Sequence, residues 1–355
     1  MLGPFPPPVH GMANVNLAVR ELLTRHDAAP PTILNTAYTS IRRTPASVLL
    51  KTWRVFASLV VFLAMLLRRR TLCLYVSVSG GPGQLSELPF ICLARLAGTN
   101  LRLHHHSFAY LNRRSPLTAA YCALAGRRAV HFVLCERMAE LLRAHYGRHL
   151  TTTVISNAAF SRGNGTHTAP RSGIATIGYL SNVSEEKGIK EFIRVATELA
   201  AQDAGVRFAV AGPCVDQDTH TMVLQAADRL DNLEYLGPVY GANKEEFLTT
   251  VDVLLFPTYY RNEAEPLTIL EALAHCAPVI AMDRGCIAEQ LRGGSGLVVP
   301  QGDDFVDRAV NQLLKWIASP REYALASRES RRAFEELRNT NEVSLQHFLK
   351  LVANP

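Results

Sequence analysis

The chain has 355 residues, 48% of them hydrophobic and 19% charged, enough apolar side chain for two packed domains and too much for a disordered tail. Its net charge of +6 conceals a split: residues 1–170 hold 19 Lys+Arg against 5 Asp+Glu (+14), and residues 171–355 hold 18 against 26 (−8). Such asymmetry points to an anionic partner for the first half. Seven Cys stand as singles at 73, 92, 122, 135, 214, 276 and 286, with no CxxC pair and no secretory signal, so a reduced, cytosolic compartment is expected.

In chain order, the first distinctive segment is Val55–Leu67 (VFASLVVFLAMLL), followed by Arg68, Arg69 and Arg70. Thirteen apolar residues reach about 20 Å as a helix, short of the roughly 30 Å hydrocarbon core. Two readings stay open: a helix buried against a sheet, or one lying at a membrane surface with its basic end on lipid head groups. Arg42, Arg43, Lys51 and Arg54 precede it, and Asp27 is the only acid between His26 and Gln84. Nucleic acid is not expected as partner, because aromatic residues are thinly interleaved with the charge.

Short apolar runs rich in β-branched residues follow: Thr71–Val78, Asn100–His104, His131–Cys135, Thr152–Ile155, Ile174–Tyr179, Val206–Ala211, Leu233–Leu236, Val253–Pro257 and Pro278–Met282. These read as buried parallel strands. Helical patterns lie between and after them, at Arg137–Tyr146, Ile189–Ala201, Leu267–His275, Asp304–Ile317 and Ser327–Leu351. The alternation predicts βαβ units in doubly wound α/β sheets. Ser161–Ser172 lacks hydrophobic period where the charge changes sign, and reads as a linker. The expected domains are 1–165 and 173–330, followed by a helix over 331–355.

Phe256–Ala281 carries the most chemistry. A strand ends at Phe256-Pro257, a loop follows, and a helix begins near Pro266, a residue suited to the first turn. The N–H groups of Leu267 and Thr268 then offer an anion site. Glu263 in the loop and Glu271 in the second helical turn would flank a diphosphate there and accept hydrogen bonds from sugar hydroxyls. The alternative is a surface loop with ordinary acids.

Glu263–Glu271 resembles the E-x7-E motif of retaining family 4 glycosyltransferases (glycosyl transferases group 1). The typical form is EGFGLxxxEAxAxGxPV, and the chain has EAEPLTILEALAHCAPV. Both Glu, the Leu, and the EA-x-A and PV positions are kept, while Ala264, Pro266 and Cys276 stand where Gly is usual. Ile177–Gly188 (IGYLSNVSEEKG) is similar to the element that opens the second domain of these enzymes. There a Lys, here Lys187, meets the donor diphosphate. The Arg often found after the Gly matched to Gly178 is replaced by Tyr179, and Asn182 is a candidate substitute by hydrogen bonding.

The resemblance implies a GT-B fold, two Rossmann-like domains facing across a cleft, with the first on the acceptor side, the second binding the nucleotide sugar, and the C-terminal helix packing back towards the first. In LRLHHHSF, His104 and His106 share one strand face and His105 takes the other. Packed histidines or a zinc site are the plain readings, though no nearby Cys or carboxylate completes a zinc site. The family carries a His at the end of a first-domain strand beside the donor sugar, which fits His106 best and His104 second. Gly3–Ala13 resembles the family's glycine-bearing first loop, with Gly11 letting the backbone approach a ligand, or is a Pro-rich tail. Asp283–Glu289 matches a loop near the diphosphate, with Gly285 the useful residue. Gly80-Gly81-Pro82-Gly83 follows a strand, but Ser86 stands where a dinucleotide fingerprint needs Gly or Ala and no acid follows about twenty residues on.

The activity implied is retaining transfer of a hexosyl unit from a nucleotide sugar to a hydroxyl, without metal or other cofactor. Catalytic roles fall to His106 and Glu263, and donor binding to Gly11, Asn182, Lys187, Pro266, Leu267, Thr268, Glu271 and Gly285. The basic half fits a lipid-linked saccharide acceptor, in cell-surface polysaccharide or glycolipid synthesis, at the anionic inner face of the cell membrane. The alternative is a non-catalytic nucleotide-sugar-binding or interaction protein on the same scaffold.

Overall fold

The computed structural model describes residues 1–7, 9–26, 30–37, 45–68, 73–161 and 169–353. The chain forms two compact units, Met1–Ser161 with Arg261–Glu265 and Asn339–Pro355, and Arg162–Tyr260 with Pro266–Arg338. Arg42, Arg43, Arg69 and Arg70, and residues 162–168 of the expected linker, lie outside the described residues.

The first unit runs β1 (Leu2–Gly3), α1 (Gly11–His26), β2 (Leu34–Asn35), α2 (Pro45–Leu67), β3 (Cys73–Val78), α3 (Leu88–Leu96), β4 (Asn100–His105), α4 (Ala109–Asn112), α5 (Pro116–Ala125), β5 (Val130–Val133), α6 (Glu136–Tyr146) and β6 (Thr151–Val154). Its sheet is parallel in the order β2-β1-β3-β4-β5-β6. β3 and β4 are buried along nearly their whole length, as strands covered on both faces must be. Helix starts follow local chemistry: Ser115 accepts the Thr118 N–H and Pro116 takes the first turn of α5. Gly3 is required by close approach, since a Cβ there would lie 2.9 Å from Asn16 Nδ2.

The second unit runs β7 (Thr176–Leu180), α7 (Ile189–Ala201), β8 (Arg207–Ala211), α8 (Gln217–Arg229), β9 (Leu233–Tyr235), α9 (Gly241–Thr250), β10 (Val253–Phe256), α10 (Leu267–Ala274), β11 (Val279–Met282), α11 (Ile287–Gln290), β12 (Gly296–Val299), α12 (Phe305–Ala318) and α13 (Pro320–Ala353). Its sheet is parallel in the order β12-β11-β10-β7-β8-β9. The order turns back between β7 and β10, the kind of switch point where α/β sheets bind ligands beyond their strand C-termini. α7 buries Phe192 against Phe208 and Tyr179, at ring distances of 5.7 and 5.4 Å. Burying such a ring stabilises by about 1.5–3 kcal/mol. The Asp252 carboxylate accepts from the Ala175 and Thr176 N–H groups and from Arg171 Nη1 at 2.7–2.8 Å, which locks the entry of β7 to β10.

α13 is shared in sequence between the units. In its last part, which belongs to the first unit, Phe348 is fully buried among Tyr75, Phe132 and Phe160. There Leu351 O accepts from Arg102 Nε and Asn341 Oδ1 accepts from Ser156 N, both at 2.9 Å.

All nine expected strands are strands, and the α/β class is as read. Three strands were missed: β1 and β2, with two residues each, and β12. Two expectations are corrected. The apolar helix is not a thirteen-residue segment but α2, 23 residues long, and its apolar window Ala46–Leu67 is only 6% buried. α2 is therefore not a buried core helix, although Phe62 on its inner face packs against Phe90, and by length and composition alone it is long enough to cross a membrane. Gly11 does not stand in a loop: it is the exposed first residue of α1, with nothing among the described residues within 4 Å of a Cβ placed there.

Candidate functional site

In the second unit the candidate residues gather beyond the C-terminal ends of β7, β10 and β11. After β7, Asn182 lies half-exposed in the loop, and Ser184 Oγ accepts the Lys187 N–H at 3.2 Å to start a short 3-10 turn. Gly188 closes that turn in the left-handed region at φ +81°, and a Cβ there would fall 2.1 Å from Pro257 O. Glycine thus lets the Lys187 turn press against the end of β10. The Tyr259 N–H donates to Glu186 O at 2.8 Å, tying the two loops together. Lys187 Nζ lies 4.5 Å from the Tyr260 ring centroid and 5.8 Å from that of Phe256, a cation held over aromatic faces. Tyr179, where the resemblance calls for a second cation, is buried and donates from its hydroxyl to Lys187 O at 3.2 Å. The side chain that replaces the cation braces the remaining one.

Pro266 caps α10 rather than occupying its first turn, and among the described residues no side chain caps that end. The early N–H groups of Leu267 and Thr268 are thus uncapped by side chains, and the helix dipole favours an anion there. Gln290 Nε2 donates to Pro266 O at 3.2 Å and fixes the approach. At the other end of α10, Cys276 adopts φ +59° and closes the helix as glycine would, with Ala277 N–H donating to Ala272 O. The departure from Gly therefore leaves the backbone path intact. Gly285, beyond β11, is also left-handed at φ +56°.

Glu271 brings the main surprise. Its Oε1 accepts from Lys244 Nζ at 2.5 Å, with both side chains about one quarter exposed. Burial raises its carboxyl pKa, and Lys244 opposes that rise. Lys244 stands 27 residues upstream on α9, and no spacing rule links it to Glu271.

In the first unit His106 follows β4 directly. His104 and His106 do share a face, with ring centroids 4.1 Å apart. They differ in access: His104 is fully buried against Phe132, Phe160 and Phe348 and bonds Tyr75 Oη through Nδ1 at 2.7 Å, whereas His106 is half-buried. His105 turns the other way, to Tyr110 Oη at 2.8 Å and His131 Nδ1 at 3.0 Å. Burial, then repulsion from His10, pushes His106 down to about 3, so its imidazole is neutral at physiological pH. His106 Nε2 is buried and has no hydrogen-bond partner among the described residues.

Glu263 lies in the pentapeptide Arg261–Glu265, which belongs to this unit. The strip is pinned at both ends. Asn262 Oδ1 accepts from Ser107 Oγ at 3.2 Å, and Asn262 O accepts from Phe108 N at 3.4 Å. The Glu265 carboxylate accepts from Ser156 Oγ and Asn157 N, both at 2.6 Å. Gly80 is needed here too, because a Cβ would meet Ser107 Oγ at 2.6 Å. The structure thus brings His106, Ser107 and the Glu263 strip to one end of the first sheet. It gathers Asn182, Lys187, Glu271, Gly285 and the start of α10 in the second unit, and leaves Gly11 on α1. Sequence reasoning missed His10, Lys244, Tyr260, Asn262 and Glu265, none of which sits at a diagnostic spacing.

Two units with parallel six-stranded sheets, each order turning at a switch point, define a GT-B glycosyltransferase fold. Residues 168–335 match the family model of glycosyl transferases group 1. The crystal structure of Anabaena Alr3699/HepE in complex with UDP matches with TM-score 0.73 at 17% identity, over 98% of both chains. The same Anabaena protein in complex with UDP-glucose matches with TM-score 0.70, again at 17% identity and 98% of each. A glycosyltransferase from Rickettsia africae ESF-5 matches with TM-score 0.69 at 12% identity, over 98% of this chain and 97% of that one. No curated protein matches in sequence.

Proposed function

We propose that the chain is a retaining glycosyltransferase that moves a hexosyl unit from a nucleotide sugar to a hydroxyl of a lipid-linked saccharide, in cell-surface polysaccharide or glycolipid synthesis. The observation that carries this reading is the second unit's switch point, where Lys187, braced by Tyr179 and Gly188, and the uncapped start of α10 follow adjacent central strands. A diphosphate leaving group meets a fixed cation and oriented N–H groups there, the arrangement that stabilises developing negative charge most effectively. The UDP and UDP-glucose in the Anabaena structures support a uridine diphosphate sugar as the donor to test first.

In this reading Lys187, Leu267 and Thr268 neutralise the diphosphate, with Asn182, Pro266 and Gly285 shaping the loops around it. Glu271, oriented by Lys244, holds ribose hydroxyls. Glu263 and His106 hold hydroxyls of the transferred sugar, His106 as a neutral hydrogen-bonding imidazole. The reaction so read uses no metal cofactor. The protein works on the cytoplasmic side of an anionic membrane.

The test is product formation from UDP-glucose and a panel of lipid-diphosphate saccharides, followed by mass spectrometry. Lys187→Ala is expected to lower kcat/KM by about 10²–10³-fold. Unchanged turnover in Glu263→Ala would remove Glu263 from the site. The Lys244–Glu271 pair favours one second reading, an interaction protein on the same scaffold, because the carboxylate that would hold ribose is already engaged. Absence of any UDP binding by calorimetry would establish it.

A further inference from the structure

α2 is inverted relative to an ordinary surface helix. Within Ala46–Leu67 every exposed residue is uncharged, and Thr52, the one polar residue among them, donates its hydroxyl back to Val48 O. Nine large apolar side chains of this helix are between 43% and 77% exposed, from Val48 at one end to Leu67 at the other. Leu49, Trp53, Phe56, Val60, Leu63 and Leu67 repeat at steps of four and three, so they form one stripe. The charges lie on the other side: Lys51 and Arg54 are only partly exposed, Arg54 Nη1 donates to Ala37 O at 3.4 Å, and Lys51 acts on the buried Glu87. Soluble monomers rarely leave an apolar patch of more than a few hundred Å² uncovered.

Two occupants would cover such a face. A second copy would bring two +14 halves together, against their mutual repulsion, and the exposed arc is wider than a helix–helix seam because Leu50 and Val61 flank the stripe. An anionic lipid surface is complementary to the same charge, and exposed Arg68 closes the helix at head-group level. Crossing the bilayer would strip α2 from its own unit, where Phe62 is buried against Phe90 at 5.7 Å and Ser47 is 2% exposed. We propose that α2 lies in the plane of an anionic membrane, its Leu49–Leu67 stripe in the acyl boundary and its inner face still packed on the first unit. This deepens the membrane part of the proposed function and rests on it.

Trp53 supplies the readout, since the other tryptophan, Trp316, is 6% exposed. The full chain is mixed with phosphatidylcholine vesicles containing about one third phosphatidylglycerol. Trp53 emission is expected to shift to the blue and to be quenched more by bromine placed high on the acyl chain than by bromine near its end. Phe56→Glu with Val60→Glu is expected to weaken vesicle affinity at least about 10-fold. Leu49→Ser with Leu67→Ser serves as a milder pair, and circular dichroism checks folding of both. Calorimetric UDP affinity of the variants is expected to be unchanged; absence of UDP binding in the parent protein would count against the donor reading alone. Unchanged vesicle affinity in both variants, stronger quenching by the deep bromine, or a solution dimer that the variants dissociate would each overturn the proposal.

Discussion

Gly188 and Glu87 show how single residues acquire their importance. Gly188 combines a left-handed backbone with a carbonyl 2.1 Å from where a Cβ would sit, and that carbonyl is backbone. Gly188→Ala is therefore expected to cost about 2 kcal/mol or more in urea unfolding and to weaken UDP binding by displacing Lys187. Glu87 is buried at the start of α3, accepting from Ser79 N at 3.0 Å. Burial, the largest cause, raises its carboxyl from 4.5 to about 7. The folded state then binds more protons than the unfolded one between those values, so stability falls as pH rises through that window. The total is on the order of 3 kcal/mol. Glu87→Gln is expected to flatten the dependence of unfolding free energy on pH between about 5 and 8, as measured by urea titration at each pH.

At the scale of elements, periodicity located most of the chain, and the failures have physical causes. β1 and β2 contribute two residues each, too few for any alternation to show. α2 was shortened because Lys51 and Arg54 interrupt its apolar run, although both charges turn inward and the helix continues through them. α13 is charged over much of its length, and its last stretch delivers Phe348 into the aromatic core of the first unit, as the resemblance implied. Phe348→Ala is expected to destabilise the protein by about 3–5 kcal/mol in thermal or urea unfolding, since the cavity would open among Tyr75, Phe132 and Phe160.

For the whole molecule the charge split is the dominant feature. If the proposed membrane binding is electrostatic it is sensitive to screening, because the Debye length falls from about 14 Å to about 4 Å between roughly 0.05 and 0.5 M salt. Vesicle affinity is expected to fall at least about 10-fold over that range in a flotation assay. In the proposed reading UDP is held by short contacts around Lys187, so its calorimetric affinity is expected to change less.

The amino-acid sequence by itself determined the α/β class, nine of the twelve strands among the described residues, the E-x7-E pair and the Lys187-Gly188 turn, because period and local spacing are written along the chain. It also held the exposed stripe of α2, but not its exposure. Only the tertiary structure decided that Lys244 pairs with Glu271, that His104 is fully buried while His106 is half-buried, and that the strip carrying Glu263 is pinned by Ser107, Ser156 and Asn157. It also decided that α2 faces outward. Each of these depends on groups far apart in the chain meeting in space, and no local rule of propensity or spacing encodes such a meeting.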